Sequence, residues 1–299
     1  MTETSLQRVD TKSLTAFILV VLLGGSNSVA IRFSNLELAP FWGAFLRLMP
    51  AALIYWAILL FRKMDLPTFK DSAVIAINGF ISTGVGFALL YWGLQTVPVS
   101  LATVVISTGP LFTLVLAVLH RLESFRIQSL IGGLIAFSGL AIAINAQPGG
   151  RELIPGIIAL LIGALISAEG NIIFKIYSVN SNPVSINALS LFSAAVFLGI
   201  ASFFTQETWN LPSTSAGWTA LAYLIIFGSV LMFYLFVYVL TRWTASSASY
   251  SILLFPLVAT VFAALLANET ITLPFILGGV IVLLGVWVGA FYTKPKTGA

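Results

Sequence analysis

Ten runs of apolar residues separated by short polar breaks organise the chain: 13–33, 40–61, 72–95, 98–120, 127–145, 154–176, 183–205, 215–240, 245–267 and 272–293. Each comes close to the roughly 20 residues that a helix needs to cross a hydrocarbon layer about 30 Å thick. Most breaks carry Pro, Asn or charge, as in NLELAP, FRKMDLPTFKD and AQPGGREL, and none is long enough for a soluble domain. The pattern predicts an all-α membrane protein with ten transmembrane helices and two polar tails, residues 1–12 and 294–299. The first tail lacks the apolar run of a cleavable signal peptide, so the first helix is expected to stay in the mature protein.

Composition points the same way. Of 299 residues 59% are hydrophobic and 8% charged, against about 25% charged in an ordinary soluble domain. The chain has no cysteine, which excludes disulfides, thiolate metal sites and cysteine nucleophiles; the single histidine, His120, cannot build a multi-histidine metal site. No cofactor and no metal are expected. The net charge of +4 is placed as topology demands rather than as a nucleic-acid footprint. With an even number of spans, one side holds Arg8, Lys12, Arg62, Lys63, Lys70, Arg121, Arg126, Lys175, Arg242, Lys294 and Lys296, and the other only Arg32 and Arg151. Basic residues mark the cytoplasmic side, so both termini are expected there. The expected partners are membrane lipid and a small molecule, with no nucleic acid, in a monomer.

A repeat runs through the spans. Pro110 and Glu123 recur 146 residues later as Pro256 and Glu269, and IGGLIAFSG (131–139) recurs as LGGVIVLLG (277–285). Phe87, Ser100 and Ala102 match Phe233, Ser246 and Ala248; upstream the offset slips to 143, matching Arg32 to Lys175 and Pro40 to Pro183. Residues 13–145 and 154–293 are thus expected to be two copies of a five-helix unit, and an odd number of spans forces them to insert with opposite orientation. Inverted repeats of this kind are a signature of secondary transporters, with substrate bound near the midplane. Pro110 and Pro256 each deprive a carbonyl four residues back, that of Ile106 or Ile252, of its helical donor, and are expected to bend matching helices. The paired glycines of helices 5 and 10, and Gly79, Gly86 and Gly93 of helix 3, lie seven apart on one face and suit close helix packing. Helices 5 and 10 have few polar residues in their middles and are expected to serve as dimer or scaffold elements. The two terminal glutamates are expected to be solvated boundary residues.

Polar residues inside spans are the candidates for a site. Helix 1 offers Ser26 and Asn27; helix 3 offers Asn78, Ser82 and Trp92; helix 4 presents Ser100, Thr103 and Ser107 on one face. Helix 6 offers Asn171, helix 8 Tyr234 and Tyr238, and helix 9 Ser246, Ser249 and Tyr250. The competing account of each Ser or Thr is a bond back to its own helix, and of Trp92 a place in the interfacial aromatic belt. Two charges lie within spans. Arg47 is about 10 Å into helix 2 at 1.5 Å per residue, and is expected to snorkel to the outer interface. Glu169, in the cytoplasmic half of helix 6, should face a partner or water, as a substrate or proton site or as a structural hydrogen bond.

GGSNSVAIR in helix 1, FWGAFLRLMPAAL in helix 2, the proline and glutamate of helices 4 and 9, and the glycine pairs of helices 5 and 10 resemble the drug/metabolite transporter superfamily, in its ten-helix EamA-type members. The likeness spans about residues 14–293 and is weaker to the aromatic amino acid exporter subgroup. It implies two EamA repeats in a bacterial inner membrane and a central cavity lined by helices 1, 3, 4, 6, 8 and 9. The implied function is export of small metabolites, often amino acids, by alternating access. Helix 6 departs from the symmetry, with a glutamate where helix 1 has Gly25 or Ser26. The expected reading is facilitated export of an aromatic or hydrophobic amino acid. The rival is a proton-coupled exporter of lipophilic cations using Glu169. An intramembrane enzyme would need a metal-ligand set, a carboxylate pair or a nucleophile with its base, and the spans show none of these.

Overall fold

The helix ends are set by side chains that reach orphaned backbone groups. A computed structural model describes residues 10–122, 127–145, 150–177, 181–243, 245–267 and 269–291. Its rods are α1 (Thr11–Ser34), α2 (Pro40–Phe61), α3 (Phe69–Thr96), α4 (Val99–Leu119), α5 (Ile127–Asn145), α6 (Arg151–Tyr177), α7 (Pro183–Phe204), α8 (Ser215–Arg242), α9 (Ala245–Leu266) and α10 (Leu273–Phe291). Eight of them are long and apolar enough to cross a membrane; α5 and α10 contribute shorter apolar stretches, Ile131–Ala143 and Leu273–Gly285.

Asp10 accepts from Ser13 N at 2.9 Å at the start of α1, and Thr68 and Thr214 cap α3 and α8. α2 and α7 both begin with proline at the first turn, where a missing N–H costs nothing. Three loop glutamates then cap helices of the opposite half. Glu207 accepts from Phe41 N and Trp42 N at 3.1 and 2.8 Å, and Glu37 from Ser213 N and Thr214 N at 2.6 and 3.1 Å. Glu269 accepts from Val99 N, Ser100 N and Ser100 Oγ at 2.6, 3.0 and 2.6 Å. Glu269 is therefore a cap of α4, not the solvated boundary residue expected from sequence, because the last loop brings it onto the positive end of that helix. Glu123 lies outside the described residues.

α3 and α8 each contain one stretch of π-helix, Gly79–Val85 and Ile226–Leu231. The two stretches sit at matching places in the copies, and each widens its helix against a neighbour: α3 against α7 and α8 against α2. In α8 the wide turn leaves carbonyls that α2 satisfies, Gly228 O from Arg47 and Val230 O from Tyr55. α4 is broken at Ser107 and Thr108 and restarts at Gly109, with Pro110 in its new first turn, whereas α9 runs unbroken through Pro256. The matched prolines thus produce different helices.

α5 and α10 pack on each other through their glycines. A Cβ on Gly139 would lie 2.6 Å from Val282 N and 2.7 Å from Gly278 O, and one on Gly278 2.6 Å from Ala143 N. That face is used within the chain, which makes the pair scaffold. Elsewhere two matching contacts tie helix ends. Arg32, in the last turns of α1, donates to Leu94 O and Gln95 O at the end of α3 (2.8 and 2.7 Å); Lys175, in the last turns of α6, donates to Leu240 O at the end of α8 (3.0 Å). Leu94 and Leu240 are 146 residues apart, as are the glycine pairs. The main apolar core runs between the two halves, and a second cluster around Ala16, Ala117, Ile172, Leu240 and Ala248 joins α1, α4, α6, α8 and α9.

Candidate functional site

A cavity of about 180 Å³ lies between the halves, lined by α1, α3, α4, α6, α8 and α9. Its walls are apolar for the most part, with Leu90, Ile106, Leu160, Phe233, Ile252 and Phe255 among them. Polar groups enter from three helices: Asn27 and Ser28 of α1, Thr113 of α4, and Ser167 and Asn171 of α6. Thr113 is spent on Gly109 O at 3.1 Å. The lining contains no acidic or basic side chain. Ile252, whose carbonyl Pro256 leaves without a helical donor, lines it, and so does its counterpart Ile106 at the end of the first segment of α4. Backbone of this kind is tolerated at membrane depth where it faces protein or water. α1 reaches this position because Gly24 and Gly25 admit α9: a side chain on Gly24 would strike the Phe255 ring, and a Cβ on Gly25 would lie 2.5 Å from Val258 Cβ.

Of the candidates read from sequence, Asn27 and Asn171 line this cavity. Asn78 and Ser82 are buried instead where α3 meets α6, with Asn78 Nδ2 donating to Gly170 O at 3.0 Å. Thr103 and Ser107 bond back to their own helix, Thr103 to Val99 O and Ser100 O, Ser107 to Val104 O. Trp92 stands outside, 41% exposed, in a shallow groove with Phe41 and Pro155. Tyr234 stacks on Tyr238, 6.3 Å between centroids, in an outer groove beside Thr15 and Leu19. Tyr250 is half-buried on α9, outside the lining, and the side chain of Ser246 lies outside the described residues. Pro110 and Pro256 are buried. Glu169 meets His120 of α4 at 2.7 Å, both about one-third exposed, while its second oxygen is buried without a partner. A helical stripe fixes which residues share a face, not which neighbour that face meets, and this is why the serine stripe of α4 turns inward on itself.

Sequence reasoning misplaced Arg47. It is fully buried, with Nε donating to Ser229 Oγ at 2.7 Å and Nη2 to Gly228 O at 2.6 Å. The carbonyl of the wide turn in α8 and the ring of Phe87, 4.9 Å from Cζ, hold the guanidinium inside the bundle rather than at the interface. Nη1 has no hydrogen-bond partner, and neither has Asn27 Oδ1. The Tyr91 hydroxyl, also fully buried, lies beside the guanidinium and interacts with it, outside the geometry of a full hydrogen bond. Among the described residues no carboxylate lies within ion-pair distance of Arg47. An arginine at the middle of a membrane helix costs about 2.5–3.5 kcal/mol on insertion scales, so an incompletely satisfied one needs a reason. A depth count along α2 could not find this, because the π turn that supplies its partners belongs to α8.

The likenesses to known proteins agree with this geometry. A crystal structure covering 95% of its own chain and 92% of this one superposes with a TM-score of 0.69 at 16% identity, which shows a shared fold. The uncharacterized inner membrane transporter YedA of Escherichia coli (strain K12) is 27% identical over 258 residues, 86% of this chain and 83% of its own. The uncharacterized transporter YoaV of Bacillus subtilis (strain 168) is 25% identical over 288 residues, 94% of this chain and 97% of its own. An S-adenosylmethionine uptake transporter of Rickettsia prowazekii (strain Madrid E) is 27% identical over 223 residues, 74% and 71% of the two chains. The model of the EamA-like transporter family matches twice, over residues 11–145 and 154–290, meeting the two halves whose helices enclose the cavity. This chain is a multi-pass membrane protein and belongs to the EamA-like transporter family, within the drug/metabolite transporter superfamily.

Proposed function

We propose that the protein is a ten-span carrier of the bacterial inner membrane, with both termini cytoplasmic, that exports a small metabolite, an aromatic or hydrophobic amino acid, by alternating access. The observation that supports this reading is the cavity between the halves, apolar over most of its wall and polar at Asn27, Ser167 and Asn171. An aromatic or branched side chain suits such a wall, and neutral polar groups suit a zwitterion. α5 and α10, at 19 residues each, span about 28 Å at 1.5 Å per residue, enough to complete two copies of five. Export is taken as facilitated, since a substrate made in the cytoplasm supplies its own outward gradient. The name of the Rickettsia relative gives uptake as its direction, so direction is measured rather than assumed.

The proton-coupled rival depends on Glu169. That carboxylate is engaged by His120 and stands apart from the cavity lining, which favours a structural or gating contact over cation binding. Counterflow into proteoliposomes with a panel of labelled amino acids, with and without a pH gradient, tests both readings. Amino acid counterflow that needs no gradient and survives Glu169→Gln is the expected result. Net efflux that requires a proton gradient and is abolished by Glu169→Gln overturns the facilitated reading.

A further inference from the structure

The cluster around Arg47 is more elaborate than packing requires, and the second copy shows what packing alone would need. Arg47 in α2 corresponds to Ser190 in α7, 143 residues on, and its partner Ser229 in α8 corresponds to Thr83 in α3. Ser190 and Thr83 meet as a neutral hydroxyl pair at 3.4 Å, and the wide turn of α3 packs on α7 without any charge. Asn27 corresponds to Gly170, and Tyr91 to Val237. All three polar side chains of the cluster are thus confined to one side of the pseudo-symmetry, at positions where the other copy is small or apolar. Symmetric helix packing does not explain a buried cation in one copy only.

These three side chains are also among the buried polar groups left short of partners, with Ser34, Asn35 and Glu169 elsewhere. Arg47 and Tyr91 are fully buried and Asn27 is 6% exposed, yet among the described residues Arg47 Nη1 and Asn27 Oδ1 have no hydrogen-bond partner, and the Tyr91 hydroxyl interacts with the guanidinium alone. They converge. Phe87, a lining residue of the cavity, carries the guanidinium over its ring, and Asn27 itself lines the cavity. Gly228 brings Asn27 and Arg47 together: a side chain there would strike Asn27 Oδ1 and come within 3.2 Å of Arg47 Nη2. A guanidinium with an unpaired N–H and a phenol hydroxyl beside it call for an anionic oxygen pair, and the planar fork of arginine matches a carboxylate. An unpaired amide oxygen a few ångströms away calls for a donor, which an ammonium supplies.

Resting on the transport reading above, we propose that Arg47, Tyr91 and Asn27 form the head-group subsite of the cavity: Arg47 and Tyr91 take the carboxylate of an α-amino acid, and Asn27 Oδ1 takes its ammonium. The apolar wall at Leu90, Ile106, Leu160 and Ile252 then takes the side chain. Phe87 is the side chain that must turn aside for the carboxylate to reach Nη1. The bound carboxylate supplies the counter-charge that the protein does not provide, so the empty cluster is held in a state that binding relieves.

The test is thermal unfolding of the full chain in detergent, titrated with matched probes. These are L-phenylalanine, 3-phenylpropanoate (no ammonium), 2-phenylethylamine (no carboxylate) and sodium chloride alone. The expected result is saturable stabilisation by L-phenylalanine, weaker stabilisation by 3-phenylpropanoate, and none by the amine or chloride. Tyr91→Phe keeps ring and packing and should weaken both carboxylate probes about tenfold, the size of one hydrogen bond to a charged group. Arg47→Lys keeps the charge, loses the fork and should weaken them at least as much. Stabilisation by 2-phenylethylamine equal to that by L-phenylalanine overturns the subsite. So does chloride acting as well as the carboxylates, unchanged affinity in Tyr91→Phe, or no response of the wild type to any carboxylate. The transport reading fails on a different measurement: a thiol adduct on Ser167→Cys that leaves counterflow of every amino acid intact.

Discussion

At the scale of single residues, close approach and capping decide most outcomes. Gly228 has no room for a methyl group between Asn27 and Arg47, whereas a Cβ on Gly133 of α5 would meet nothing within 4 Å. Gly228→Ala should cost about 1–3 kcal/mol of stability through overpacking. Gly133→Ala should be neutral or stabilising by up to about 1 kcal/mol, because alanine is the better helix former. Thermal unfolding in detergent separates the two, and equal midpoints would contradict the geometry. Glu37 gives a pH signature. The Thr214 hydroxyl, then the Ser213 and Thr214 amides, hold its carboxyl down from an ordinary 4.5 to about 2. A depressed carboxylate stabilises the folded state fully above its unfolded value and loses that contribution as pH falls toward the folded one. Glu37→Gln should therefore be less stable than the wild type at pH 6, and the gap should close as pH falls from about 5 to about 2. A gap that stays constant over that window would show that the cap does not depend on charge.

Among the elements, the broken α4 and the continuous α9 are the informative pair. Pro110 sits in a first turn whose N–H has no helical acceptor in any case, but Pro256 lies inside a helix and leaves Ile252 O without its donor. Pro110→Ala should change stability by less than about 1 kcal/mol. Pro256→Ala should raise it by about 1–3 kcal/mol and slow counterflow, because it restores the missing bond and stiffens a cavity helix. Counterflow unchanged in Pro256→Ala would mean that the missing hydrogen bond at Ile252 plays no part in transport. The glycine faces of α5 and α10 and the eight long spans were legible because each rests on local chain chemistry, whereas the matched prolines did not foretell that α4 breaks and α9 does not. The two π stretches were not, since no residue type forces a π turn; the neighbour helix that satisfies its carbonyls does. The same gap explains Arg47: axial depth follows from counting, but the rotation of α2 toward α8 follows from packing between halves. Trp92 and Tyr234 failed to reach the cavity for the same reason, since an aromatic on a lining helix can face outward equally well.

For the whole molecule, six helices converging on one chamber predict which positions substrate can shield. The chain contains no cysteine, so single substitutions can be labelled cleanly. Ser167→Cys and Asn171→Cys should react with aqueous thiol reagents and be protected by a transported amino acid, while Trp92→Cys should show no protection. Protection at Trp92→Cys without protection at Ser167→Cys would move the site to the outer groove. The two end contacts, Arg32 on Leu94 O and Gln95 O and Lys175 on Leu240 O, carry a further consequence for a carrier built from duplicated halves. Under the alternating access proposed above, each contact would take on the role of the other as the halves trade conformations, so the two end states would differ in energy only where the duplicates differ in chemistry. The guanidinium with two acceptors against the ammonium with one is then among the imbalances that set the resting population. Arg32→Ala and Lys175→Ala should tilt that balance in opposite senses. Labelling of Ser167→Cys from the outer face should rise in the first and fall in the second. A shift in the same sense for both would mean that the halves do not act as counterweights.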